Sequence, residues 1–425
     1  MTESGRFAPL RRALRNRNFL IFLSGNVCVN LGTWIQQVAI SWLAWDMTHS
    51  AAWLGAVAAA QMVPNIVFGP LAGAVTDRVN YLKLLKSTQT ISMVHTFILF
   101  LLTFTDVLSI GLLFFMTLAR GIINTFNRPA RLVFVYNLVG PEDLAVAVGV
   151  NAMIFNTAKF IGPAVGGMLI VAGGVSFTFL INTLTFVVFL FCLFAIKGQK
   201  TEAKKRSGKG ILGDAAEGLR YTFGHPGIGP FLIMLVLTAG FVRPITEFMP
   251  AFADEVFGEG VHGLAWLMSA NGLGAVAAGY WMVRRGTVQG LTAMVMSNLI
   301  VFAGAVLVFV SNDVFWVGVS VMAVYGFSTV IQGIGTQVLV QTAVDGEMRG
   351  RALASYSILQ RGCPAMGAIV MGWLSEYFGL RWPFAVSAAL CFLLWWWLVR
   401  RKETMTAALE RGPGAGRDLK EMVRE

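Results

Sequence analysis

The chain has 425 residues, of which 56% are hydrophobic and only 13% charged, with a mean hydropathy of +0.68 and a formal net charge of +11. A soluble protein carries about twice that share of charge, so a soluble globular domain is excluded. The apolar residues also fall in blocks long enough to cross about 30 Å of hydrocarbon. In lipid such blocks must be helices, because every backbone polar group has to be satisfied within the segment.

Twelve spans are predicted, over residues 19–44, 51–75, 84–104, 107–127, 144–170, 174–196, 229–251, 261–283, 287–310, 313–339, 351–375 and 381–399. The first is too long for a signal peptide and lacks a small-residue cleavage site, so none is expected. Span one carries Asn26, Asn30, Thr33 and Gln37 at steps of four, three and four, which is one helix face. Span two runs out in "GAVTDR", with Gly73, Asp77 and Arg78. Span three holds Gln89, Ser92 and His95, the histidine reading better as a satisfied packing residue than as a proton carrier. Span four places Thr117, Arg120, Asn124, Asn127 and Arg131 at steps of three and four, again one face.

Span five contains "NTAKFIGPAVGGML", where Lys159, Gly162, Pro163, Gly166 and Gly167 stand in an otherwise apolar helix. Residues 197–228 then form a linker that opens "KGQKTEAKKRSGKG" and continues with an apolar stripe of Ile211, Leu212, Ala215, Leu219 and Phe223. That stripe predicts either a short helix on the membrane face or a helical lead into span seven. In span seven Arg243 and Glu247 lie one turn apart, flanked by Pro244 and Pro250. Span eight contains the small-residue run "NGLGAVAAG", and span ten lines up Tyr325, Ser328, Gln332 and Thr336. Span eleven carries "ILQRGCPAMGAIV" with Arg361, a looser copy of the span-five motif at a shift of 201 residues between Pro163 and Pro364. A second match sets "GAVTDR" against "GYWMVR" from Gly279. Together they point to two parallel six-span halves, the plan of many secondary transporters.

With the N-terminus placed in the cytoplasm, 28 of the 33 lysines and arginines fall on the cytoplasmic side. The basic excess is therefore a topology signal rather than a nucleic-acid footprint, and no nucleic-acid partner is expected. Cys28, Cys192, Cys363 and Cys391 lie within spans without metal-ligand spacing, so no metal site is predicted. "SGKG" at Ser207 lacks the Ser or Thr and the strand of a phosphate loop, and no cofactor is expected.

The stretches "GTWIQQVAISWLAWDMTHS", "GPLAGAVTDRVNYLK", "FNRPARLVFVYNLV", "NTAKFIGPAVGGML", "VRPITEFMPAFADEVFG" and "MRGRALASYSILQRGCPAMGAIVMGWL" resemble a major facilitator superfamily transporter. The resemblance is to the bacterial exporter branch that includes enterobactin-type siderophore exporters and macrolide-efflux proteins. In the loop signature Gly73, Asp77 and Arg78 match, while Asn80 and Tyr81 replace a glycine and a basic residue. Gly162, Pro163, Gly166 and Gly167 match the exporter signature of span five.

The resemblance implies an all-α membrane fold of twelve helices in two six-helix pseudo-repeats. The N-terminal bundle would cover 1–196, the cytoplasmic linker 197–228, the C-terminal bundle 229–400 and a cytoplasmic tail 401–425. It implies a multi-pass monomer of the bacterial inner membrane with both termini cytoplasmic. It also implies that spans one, four, seven and ten line the pathway, so Asn26, Asn30, Gln37, Arg120, Asn124 and Gln332 are expected to meet a small-molecule substrate. No enzymatic chemistry is expected, because His and acidic residues do not cluster at catalytic spacing.

Gating is assigned to the span-five glycines, expected to pack against "NGLGAVAAG", with static close packing as the bland alternative. Asp77 would close the inner mouth by pairing with Arg128 or Arg131 or with the N-terminus of a helix in the other half, or else be a solvated turn residue. Without an ATP site the proton gradient is the expected energy source. Glu247, paired with Arg243, is the carboxylate expected to load and release the proton, its rival role being a static ion pair. Lys159 and Arg361 sit near mid-span, where an unpaired charge costs several kcal/mol. They are expected either to face the cavity and favour an anionic substrate or to bond carbonyls freed near Pro163 and Pro364. The function expected is proton-coupled export by alternating access, with lipid flipping and membrane sensing as alternatives.

Overall fold

The structure is a computed structural model that describes Arg12 and residues 15–140, 143–196, 222–285, 287–344 and 346–410. The described residues form helices joined by short turns, with no strand among them. The first four helices are α1 (Arg17–Asp46), α2 (Ala51–Arg78), α3 (Tyr81–Phe104) and α4 (Ile110–Val139). Their starts follow from local chemistry. Asn16 caps α1 by accepting from the backbone of Asn18 and Phe19 at 3.0 and 3.2 Å, Asn80 caps α3 and Ser109 caps α4.

Next comes α5 (Leu144–Ala195), one continuous run of 52 residues broken at Gly174, whose φ of +77° only glycine adopts easily. The break falls at the predicted boundary between spans five and six. The following segment differs from the sequence reading. Instead of one α-helix it comprises α6 (Ile228–Leu237), a π-helical turn at Thr238–Val242, a 3₁₀ stretch at Arg243–Phe248, the short α7 (Met249–Ala251) and a second π turn at Phe252–Val256. Pro244 and Pro250 cannot donate to the helical ladder, and the chain changes pitch around both. Then follow α8 (Gly260–Arg285), α9 (Leu291–Ser311), α10 (Phe315–Ala343), α11 (Gly346–Phe378), α12 (Arg381–Val399) and α13 (Lys402–Glu410).

Nine helices among the described residues are long and apolar enough to cross a membrane, and one of them holds both limbs of α5. At 26 and 33 residues α8 and α11 have the length as well, but glycine and polar residues dilute their hydropathy. The amphipathic stripe expected at Ile211, Leu212, Ala215 and Leu219 lies outside the described residues.

Packing groups the chain into two units, one of residues 1–49, 63–207 and 264–269, the other of 50–62, 208–263 and 270–425. In the first, α1 lies along both limbs of α5. Phe19, Phe22, Leu85, Phe134 and Phe189 form a fully buried core, with Phe22 rings 5.4 and 5.8 Å from those of Phe134 and Phe189. Arg12 holds the buried carboxylate of Asp143 through contacts of 2.6 to 3.0 Å.

In the second unit Phe248, Phe252, Phe302, Phe309 and Phe384 are buried together with Tyr325. Glu376 on α11 accepts from the Ser50 hydroxyl and the Ala52 backbone at 2.9 and 3.2 Å, tying the start of α2 to that unit. Residues after 400, expected as a tail, instead begin with the packed helix α13. Its Met405, Ala408 and Leu409 are buried, and Glu410 accepts from Gly290 N–H and Thr292 N–H at 2.7 and 2.8 Å, capping the start of α9.

Candidate functional site

In the first unit the polar face of α1 carries two separate hydrogen-bonded groups. Asn26 donates to Asn151 Oδ1 at 2.8 Å, and Asn30 donates to the carbonyl and side-chain oxygen of Asn26 at 2.7 and 3.0 Å. Further along α1, Arg120 of α4 reaches Gln37 Oε1 at 3.4 Å and the Thr33 carbonyl at 3.3 Å. Arg120 is buried, and no carboxylate lies within ion-pair distance of it among the described residues. Two long bonds to neutral oxygens leave most of a five-donor guanidinium uncompensated, and a buried cation in that condition attracts an anion.

The structure sets Asn30 against Asn26 and Arg120 against Gln37, and the sequence reading did not name every partner. It missed Asn151, and it missed Asn182, which donates to Gln36 Oε1 at 2.6 Å. Asparagines inside apolar runs were the available signal for both. Asn124 is exposed. His95 meets the Met116 carbonyl at 2.8 Å, a satisfied packing role.

Lys159 is half-buried, its Nζ 5.9 Å from the centre of the Trp34 ring. One turn on, Gly162 lets the α5 backbone rest on the side chain of Trp34, and a Cβ at Gly166 would lie 3.4 Å from Ile35 Cα and 3.5 Å from Val38 Cβ. These two glycines thus pack against α1, whereas the sequence reading set them against span eight. Small residues reveal that a backbone comes close but carry no label for its partner. The span-eight glycine Gly274 meets the Ala323 carbonyl of α10 instead. Pro163 and Gly167 are buried beside this seam.

At the end of α2, Gly73 has open space around it and Arg78 is exposed, while the side chain of Asp77, and with it the proposed pairing, lies outside the described residues. Arg131, one of the candidate partners, stacks against Phe22 and Phe189 with its guanidinium carbon 5.9 and 5.5 Å from the ring centres.

In the second unit Asn298 donates to Gln332 Oε1 at 3.0 Å and to the Ser328 carbonyl at 2.9 Å, and the Gln332 amide points at Met234 Sδ, 3.0 Å away. A small cavity of about 10 Å³, room for about one water, adjoins Thr238, Arg243, Thr329, Gln332, Gly333 and Gln360. Tyr356 donates to the Gly333 carbonyl at 2.8 Å, and Tyr325 to the Arg243 carbonyl at 3.4 Å. Arg243 and Glu247 are both half-buried within the 3₁₀ stretch. There residues three apart eclipse, which aligns Arg243 with Thr246, whose hydroxyl donates to the Arg243 carbonyl at 3.1 Å. Arg361 is exposed. Among the described residues no group of three His, Cys, Asp or Glu is placed to hold a metal ion.

The model of the family described as transmembrane secretion effector matches residues 4–411. The chain is 24% identical to the Staphyloferrin A transporter of Staphylococcus aureus over 391 residues, 90% of this chain and 96% of that one. It is also 24% identical to the multidrug efflux pump Tap of Mycolicibacterium fortuitum, over 88% of this chain and 93% of that one. Among solved structures, the nucleoside transporter NupG superposes with a TM-score of 0.70 at 15% identity, covering 90% of this chain and 98% of its own.

Proposed function

The chain belongs to the transmembrane secretion effector family of major facilitator transporters, proteins that are not enzymes, and from that premise we propose that it exports a small organic anion against its gradient. Export proceeds by alternating access and is driven by proton antiport. The protein works as a monomer in the bacterial inner membrane with both termini cytoplasmic, its two six-helix bundles, 1–196 and 229–400, moving about the linker 197–228.

The observation that carries the reading is Arg120, a buried guanidinium held by two long bonds to neutral oxygens. Such a group is costly unless an anion visits it, because desolvation of a lone charge outweighs what Gln37 and Thr33 return. Lys159, half-buried in the same unit, is a further cationic donor suited to carboxylate or phenolate oxygens. The family's description as a secretion effector and a relative named a multidrug efflux pump support an outward direction of transport. Gly162, Pro163, Gly166 and Gly167 are assigned to the moving seam and Gly73, Asp77 and Arg78 to the inner mouth. Glu247 beside Arg243 is assigned to proton loading.

The test compares secreted metabolites from deletion and overexpression strains alongside a drug-susceptibility panel. One or a few organic acids should fall outside the deletion strain and rise outside the overexpressing one. Broad resistance shifts without such a change would replace the anion exporter by a multidrug pump, and no change in either would leave lipid flipping or sensing.

A further inference from the structure

The outward face of α12 is a continuous apolar stripe. Trp382, Val386, Leu390, Leu393 and Trp396 follow one another at steps of four, four, three and three, and all five are exposed, from 43% at Leu390 to 69% at Trp382. The next residue on that stripe is Arg400, which is also exposed. Its guanidinium carbon lies 3.5 Å from the centre of the Trp396 ring, a close cation–π contact. Beside it Arg401 stands 4.3 Å over Trp397, and Lys402 follows, exposed.

A guanidinium stacked on an indole spends its π face on the ring and keeps its N–H edges free for oxygen acceptors. Two such groups side by side present forked donors suited to a phosphodiester. The tryptophans beneath them mark the depth at which indoles settle, the boundary between hydrocarbon and headgroups. Lipid acyl chains would cover the stripe, and the headgroup of that same lipid would then lie level with Arg400 and Arg401. The backbone is well fixed there, because α12 passes directly into α13, whose Met405, Ala408 and Leu409 are buried in the same unit.

We propose that the end of α12 formed by Trp396, Trp397, Arg400 and Arg401 is a binding site for the phosphate headgroup of an anionic phospholipid, whose acyl chains lie along the Trp382–Trp396 stripe. The site depends on the chain spanning a membrane but not on what it transports, so it stands or falls separately from the export reading.

Native mass spectrometry of the full-length protein, extracted from vesicles of mixed phosphatidylglycerol and phosphatidylcholine, reads the bound lipid directly. Wild type should retain phosphatidylglycerol in clear preference to phosphatidylcholine, and excess inorganic phosphate should not displace it. Arg400→Gln/Arg401→Gln should lower that preference about thirtyfold, in keeping with the loss of two charges at an anionic surface. Arg381→Gln, at the opposite end of the same helix, should leave it intact. Arg400→Gln alone, a milder change should the double variant fold poorly, should give an intermediate loss. Wild-type retention in the double variant, the absence of a phosphatidylglycerol preference in wild type, or displacement by free phosphate would each overturn the proposal.

Discussion

Gly367 of α11 offers a sharp perturbation, because the geometry on the two sides of its contact is unequal. A Cβ built on Gly367 would fall inside contact distance of the Gly240 carbonyl oxygen, 2.5 Å from its carbonyl carbon and 3.0 Å from Gly240 Cα. All of these are backbone atoms in the π turn at Thr238–Val242, so no side chain can swing aside. Relief requires α11 and that turn to separate by about 1 Å, and overpacking of this kind costs about 1–3 kcal/mol, here at the upper end because only backbone can yield. The reverse substitution meets no such wall. A Cβ on Gly240 would have its nearest neighbours at Cys363, 3.8 Å away, an ordinary contact. Gly367→Ala should therefore lower the thermal unfolding midpoint of the detergent-purified protein clearly, with Gly240→Ala within about 0.5 kcal/mol of wild type. Equal stability of the two variants, or a Gly367→Ala protein as stable as wild type, would refute the reasoning.

Arg120→Met should cut transport of the physiological anion by at least about tenfold, yet leave stability unchanged or raised, since it removes a poorly compensated buried charge. Paired transport and unfolding measurements check this, and a loss of both would mark Arg120 as a structural residue. Glu410→Ala removes both acceptors from the start of α9 and should destabilise the protein by about 1–2 kcal/mol, a value held down by partial exposure. Hydrogen exchange at Gly290 and Thr292 should rise in that variant before exchange elsewhere does.

Much of the fold is legible from residue chemistry alone. Long apolar runs dictate helices, and the Gly173–Gly174 pair marks where α5 breaks between two spans. The polar stripe of α1 is equally visible, because Asn26, Asn30 and Gln37 share one face at helical spacing. What eludes the sequence is pairing. Asn151 and Asn182 stand alone in their own runs, and only tertiary packing sets them against Asn26 and Gln36. Gly162 and Gly166 announce a close approach without saying that α1 is what approaches. In the seventh span Pro244 and Pro250 warn of irregularity, but they do not say which segment takes π pitch and which takes 3₁₀. The α13 stripe of Met405, Ala408 and Leu409 has helical spacing, yet only the packed structure shows that it is buried.

The central claim is proton-driven export of an organic anion, and transport by the purified protein in sealed proteoliposomes tests it most directly. With an imposed pH gradient, wild type should accumulate the secreted acid identified from the overexpressing strain above its equilibrium level, and a protonophore should abolish the excess. Glu247→Gln should still equilibrate the acid downhill but show no accumulation. Full uphill transport by Glu247→Gln would contradict the assigned proton site, and wild-type accumulation indifferent to the pH gradient would contradict the account itself.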